Sequence, residues 1–270
     1  MRAAGETMLK QRVLSAIAAA PLVILLIWLG VNTTAALVSA AAAVGIFEFY
    51  RLSFQPRLRL LPVLGITGGI LFSVEAAMDS SFALPLATGA ILVPLFALVF
   101  LPPKERDPTE WAWTLAGVFL IGWTLRHAVL LRGQEDGREW LLTAVILTFA
   151  IDTGAYALGK ALGRRKLAPT ISPSKTWEGA IGAMLVGAGA AVAITKGFDL
   201  DIHVWQSVVL GLLVGFFAQV GDLAESMLKR AADAKDAGSL IPGHGGILDR
   251  LDSLIPAIVV VYYFLRYLEW

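Results

Sequence analysis

The sequence has no cysteine, which excludes disulfides, thiolate nucleophiles and cysteine-ligated zinc or iron–sulfur centres. Histidine is almost as scarce. His127, His203 and His244 are the only three, too scattered for a histidine-rich metal site. Charge is thin as well: 16% of the 270 residues are Asp, Glu, Lys or Arg, against about a quarter in a soluble domain. No sign dominates, because the net charge is +1, so partners must be inferred from where the charges sit. What fills the chain instead is apolar: 57% of residues, with a mean hydropathy of +0.72. A spanning helix with its turn uses roughly 25 to 30 residues, which leaves room for about nine spans and almost no separate soluble domain. A nucleic-acid binder, a coiled coil and a disordered tail are excluded on this composition.

Apolar runs of about 18 residues mark spanning helices, because lipid offers no partner to an unpaired backbone group. They predict an all-α polytopic membrane protein with spans near 13–30, 34–52, 60–78, 82–101, 111–131, 140–160, 178–195, 204–226 and 251–268. The first span follows Arg2, Lys10 and Arg12 like a signal peptide. Its apolar stretch is long, and Ala18-Ala19-Ala20 lies at its beginning rather than at a cleavage position, so it reads as a retained anchor.

Basic residues set the orientation. With the N-terminus in the cytoplasm, that side holds Arg2, Lys10, Arg12, Arg51, Arg57, Arg59, Lys104, Arg106, Lys160, Arg164, Arg165, Lys166, Lys175, Lys229, Arg230, Lys235 and Arg250. These are about 17 of the 22; the far side keeps Arg126, Arg132, Arg138, Lys196 and Arg266. Nine being odd, the C-terminus falls on the far, periplasmic side. Residues 1–135 form an N-terminal helical scaffold poor in chemistry. Its two notable acids, Glu48 and Glu75, lie near helix ends and read as solvated.

Residues 136–270 differ, because carboxylates and cations gather in two cytoplasmic connections and the helices beside them. One runs from Asp152 through Arg164-Arg165-Lys166 to Lys175, before span seven. The other begins with Gln219, Asp222, Glu225 and Ser226 and continues through Lys229, Arg230 and Lys235 to Gly243-His244-Gly245-Gly246. It ends at Asp249-Arg250-Leu251-Asp252. Both lie on one side of the membrane and can form one site.

At i and i+3 on a helix, Asp249 and Asp252 share a face, and two such carboxylates repel unless a cation or proton lies between them. Acids in a first helical turn also simply complement the macrodipole. That does not account for Asp222 at membrane depth, where a carboxylate must pair or bind something. Glu225 and Lys229, four apart, read as a surface pair. Three aspartates without cysteine suit a hard cation held by oxygens, and magnesium fits; Asp152 and Glu225 are secondary ligand candidates. The glycines at 243, 245 and 246 let backbone N–H groups approach an anion, with Lys229, Arg230, Lys235 and Arg250 around them. His244 either contacts phosphate or satisfies its own loop. Lys175 is a further phosphate candidate, whereas Arg164-Arg165-Lys166 reads as attraction to anionic headgroups. Carboxylates for a metal beside cations and donors for phosphates are what phosphoryl chemistry requires.

The stretch Ser226…Lys229-Arg230…Lys235-Asp236…Pro242-Gly243-His244-Gly245-Gly246…Asp249-Arg250-Leu251-Asp252 resembles the signature of the phosphatidate cytidylyltransferases, or CDP-diacylglycerol synthases. Gly221-Asp222 with Glu225-Ser226, and Ser172-Pro173 with Lys175-Thr176-Trp177-Glu178-Gly179, resemble that family too, so the likeness covers roughly 150–252. It implies an enzyme of the bacterial inner membrane that converts CTP and phosphatidic acid into CDP-diacylglycerol and pyrophosphate. It also implies a magnesium requirement, metal binding at Asp222 and Asp249 with Asp252 involved, and a site open to cytosol and lipid. A homodimer is implied as well, while the number of metals stays open. Two rivals remain: a related transferase acting on an isoprenoid alcohol or an ether lipid, and a cation-coupled transporter using Asp152, Asp222 and Glu225.

Overall fold

A computed structural model of the chain describes residues 20–53, 60–78, 81–238 and 245–267. Among them, six helices are long and apolar enough to cross a membrane: Val31–Leu52, Leu60–Ala77, Pro108–Arg132, Gly137–Leu162, Trp177–Gly197 and Val204–Ala231. Two shorter apolar helices are α1, Ala20–Leu29, and α4, Ala83–Val99. Residues 13–19 of the first expected span, and its basic prelude, lie outside the described residues. The last helix, α11, is the 13-residue Leu254–Arg266.

The chain divides into two compact units. One comprises residues up to Leu130 together with Ala234–Leu251; the other comprises Leu131–Asp233 and Asp252–Trp270. The segment Ala234–Leu251, ahead of α11, therefore groups with the N-terminal helices.

In the first unit, α2 (Val31–Ser53) packs on α3 (Leu60–Ala77), with Ile46, Phe49, Leu61 and Phe72 fully buried. The helix α5 (Pro108–Gly117) starts three residues ahead of the expected span, because Asp107 accepts from the Thr109 N–H at 2.9 Å and Pro108 takes the first helical position. It continues through a π-helical turn, Val118–Trp123, into α6, Thr124–Arg132. The Tyr50 hydroxyl donates to the Thr114 carbonyl at 2.8 Å, tying α2 to α5. Glu75 is not solvated as the sequence suggested. It is buried and paired at 2.8 Å with Arg126, whose guanidinium lies over the Trp123 ring. A buried acid in an apolar helix needs such a partner, and the nearest one is supplied by a different helix.

The second unit is built on α7 (Gly137–Leu162), α8 (Trp177–Gly197), α9 (Val204–Ala231) and α11. At the crossing of α8 and α9, a Cβ on Gly211 would strike the backbone of Gly187 and Ala188, so the two helices touch main chain to main chain. Thr195 and Ser207 bond across the same pair at 2.8 Å. One element departs from the all-α expectation. Between α7 and α8, β1 (Lys166–Ala168) and β2 (Ser172–Thr176) form a small antiparallel hairpin, with Lys166 opposite Thr176 and Ala168 opposite Ser172. The Glu178 carboxylate holds its base by accepting from the Arg164 and Arg165 N–H groups at 3.0 and 3.2 Å. The Thr176 hydroxyl accepts from the Gly179 N–H, capping α8.

Candidate active site

In the second unit, the hairpin carries Lys175 to α9, where its ammonium lies 2.7 Å from Asp222 Oδ2. Ser226, one turn further along α9, donates from its hydroxyl to Asp222 Oδ1 at 3.3 Å. Each oxygen of Asp222 thus has its own partner, and both side chains of the ion pair keep some access to solvent.

Asp252 joins this cluster through backbone packing. Gly221 has no Cβ, and one placed there would collide with the Asp252 carbonyl and the Pro256 ring. That close approach sets the next residue, Asp222, beside Asp252. Asp252 lies in the turn ahead of α11, outside the candidate spans. Burial, then the charge of Asp222, pushes its carboxyl up to about 6, with Asp152 on α7 adding to the rise. The Ser253 N–H at 2.6 Å and the Lys229 ammonium oppose the shift. Two carboxylates crowded this closely want a cation or a proton between them.

Other sequence candidates on these helices have structural partners. Glu225 and Lys229 do pair at 2.6 Å, but not on the surface: they are 6% and 13% exposed. Spacing foresaw the pair and not its burial, because the i,i+4 rule says nothing about what covers the helix face. The Gln219 amide donates to the Ala180 and Gly215 carbonyls at 3.2 and 2.7 Å, which stitches α9 to α8. Arg230 Nε donates to the Ile171 carbonyl in the hairpin turn at 3.4 Å.

The glycine loop belongs to the first unit. Asp249 sits on α10, Leu248–Leu251, and accepts at Oδ2 from the Ala237 N–H at 2.9 Å and the Gly246 N–H at 2.8 Å. Gly245 adopts φ +79°, the left-handed region where a side chain would be strained. Lys235 and Arg250 are exposed, and His244 lies outside the described residues. The shared helix face foreseen for Asp249 and Asp252 is absent, because α10 ends at Leu251 and a turn at Asp252-Ser253 precedes α11. Pro256 explains the break: without an N–H it cannot bond back to the Asp252 carbonyl, so it sits in the first turn of a new helix.

Glu48, which the sequence places at a solvated helix end, is buried instead. This α2 residue is 4% exposed and accepts from the Leu248 N–H at 2.9 Å. The signal was available, since an acid inside an apolar run is a functional candidate by default.

Among the described residues, no group of three or more His, Asp or Glu side chains stands ready to hold a metal. Magnesium, however, takes one or two carboxylates and completes its shell with water and phosphate oxygens. Asp222 and Asp252 are a pair of that kind, all oxygen and crowded, so the donor set fits a hard divalent cation beside the Lys175 ammonium.

The whole of this constellation lies within a segment that matches known proteins. A family model described as the cytidylyltransferase family covers residues 10–268. The chain belongs to this family. A phosphatidate cytidylyltransferase of Bacillus subtilis is 32% identical over 267 residues, 95% of this chain and 97% of that protein. Another of Brucella melitensis is 44% identical over 169 residues, 58% of this chain and 59% of the relative's length. A third, from Mycobacterium tuberculosis, is 39% identical over 150 residues, 54% of this chain and 45% of the relative. The chain thus spans less than two thirds of the Brucella relative that it matches. Membership covers both units, because the matched residues run through the scaffold helices as well as the acidic cluster.

Proposed function

We propose that this chain transfers the cytidylyl group of CTP to phosphatidic acid, giving CDP-diacylglycerol and pyrophosphate. The observation that carries the reading is the Lys175–Asp222 pair set against Asp252, an acid-and-cation cluster built for phosphate and metal. The names of the cytidylyltransferase relatives support the choice of nucleotide and lipid.

The lipid phosphate attacks the α-phosphorus of CTP, the bond to the bridging oxygen breaks, and pyrophosphate leaves. A phosphate monoester has its second pKa near ~6, so it is already the nucleophile at neutral pH and no strong general base is needed. The obstacle is repulsion between two anions. Lys175, Lys229 and Arg230 in the second unit supply the cations that offset it and accommodate the departing pyrophosphate. A magnesium ion held by Asp222 and Asp252 would supply further charge neutralisation at the transferring phosphoryl group. In the first unit, Asp249, Gly245, Gly246, Lys235 and Arg250 form a separately testable set of ligand and phosphate candidates.

The proposal includes nine spans, the last beginning at Leu254, with the N-terminus in the cytoplasm of a bacterial inner membrane and the chemistry on that side. The basic-residue bias supports this orientation. A homodimer is proposed on the family resemblance, and the mass of the protein in detergent would test it.

The test is purified protein in mixed micelles, given CTP and a panel of lipids with magnesium omitted and then restored. Pyrophosphate and CDP-diacylglycerol should appear with phosphatidic acid and magnesium together. Turnover of an isoprenoid alcohol in preference to phosphatidic acid, or no pyrophosphate with any lipid, overturns the reading.

A further inference from the structure

We infer that Glu48, on α2, is a positioning residue that fixes the loop residues 245–249 for the transfer reaction. The inference rests on the function proposed above. Its basis is a carboxylate that an apolar helix carries into that loop. Glu48 is 4% exposed and takes the Leu248 N–H at 2.9 Å, with the Ile247 N–H also directed at it. Two glycines lie against it. A Cβ at either Gly238 or Gly246 would collide with the Glu48 carboxylate. The Gly246 N–H in turn holds Asp249, as does the Ala237 N–H. Residues 246–249 are therefore tied to Glu48 through the Leu248 N–H and to Ala237 through the Asp249 carboxylate.

An acid in a spanning helix is costly, and an apolar residue of similar size would fill the same space without that cost. What the carboxylate adds is direction: it specifies which loop N–H groups point where. Without it the Leu248 N–H loses its partner, and the neighbouring Gly246–Asp249 contact loses the support beside it. Glu48 need touch no substrate to act this way.

The experiment compares Glu48→Ala, Glu48→Gln and Gly238→Ala with wild type. Glu75→Gln, which removes another buried acid of the same unit, serves as control. The readouts are kcat and KM for CTP, thermal stability, and amide hydrogen exchange over 245–251. Glu48→Ala should lower kcat about 10- to 100-fold, more than it raises KM, and should speed exchange in 245–251. Gly238→Ala should do the same from the other side of the contact. Glu48→Gln keeps an oxygen for the Leu248 N–H and should recover part of the rate. Glu75→Gln should lower thermal stability while leaving kcat and the loop's exchange alone. If Glu48→Ala does not fold, Glu48→Gln and Gly238→Ala carry the test. Wild-type kcat in Gly238→Ala and the Glu48 variants, or a slowed enzyme with unchanged exchange at 245–251, overturns the assignment. If wild type makes no CDP-diacylglycerol, the parent reading fails, and the exchange data still decide whether Glu48 orders the loop.

Discussion

Gly221 gives the Asp252 carbonyl a place to rest on α9 that no other residue could give it. The contact brings an acid of α9 beside one in the turn ahead of α11, although like charges placed so close disfavour each other. Repulsion between Asp222 and Asp252 is thus built into the main chain.

Gly221→Ala should therefore disable the protein without unfolding it. The methyl group pushes the turn ahead of α11 away from α9, and a misplacement on the order of 1 Å can cost about 100-fold in rate. Pyrophosphate release and thermal unfolding, measured on the same preparation, separate the two effects. Wild-type turnover would mean that the spacing of the two acids does not matter.

Lys175→Ala should show a wide gap between stability and activity. The ion pair with Asp222 is partly solvated, so its loss should cost no more than about 1 kcal/mol of stability. Loss of a cation opposite transferring phosphates should cost on the order of 100-fold or more in rate. Unchanged kinetics would make Lys175 a structural partner of Asp222 alone.

Asp252 gives the metal-free protein a pH signature. Its folded-state pKa of about 6 lies above the ordinary carboxylate value, so the fold favours the protonated form. That stabilisation is complete below the unfolded pKa of about 4 and is lost as the pH rises through about 6. Thermal unfolding between pH 4 and 8 should show this decline, Asp252→Asn should flatten it, and magnesium should restore stability mainly above pH 6. A magnesium effect equal at pH 5 and pH 8 would separate this carboxyl from the cation.

Asp249→Asn should abolish turnover in a folded, inserted protein. The amide keeps one acceptor oxygen but loses the charge, and it turns an NH2 toward the N–H donors of Ala237 or Gly246. Wild-type activity at ordinary magnesium would remove Asp249 from the metal assignment.

Much of the second unit's cluster was legible from residue type alone. Asp222 stood out because an acid at membrane depth demands a partner, and Lys175 because it lies alone before a span. Geometry that depends on the fold was not legible. The spacing of Asp249 and Asp252 implies one helical face, yet Pro256 ends that helix, and its effect four residues upstream outweighs the periodicity. The hairpin before α8 lacks the apolar alternation that announces a strand, and it is held instead by Glu178 reaching back to two N–H groups. Glu48 and Glu75 were placed at solvated ends because position along a helix does not reveal what packs against it. Their partners, Leu248 and Arg126, lie 200 and 51 residues away in sequence.

The missing N–H of Pro256 reaches beyond local geometry. Supplying it, as Pro256→Ala would, lets α11 grow backward through Ser253 and Asp252 toward α10. One imino acid thereby keeps a joint in what the hydrophobic pattern would otherwise write as a single rod. Asp249 and Asp252, three residues apart, ride on different elements because a ring nitrogen carries no hydrogen.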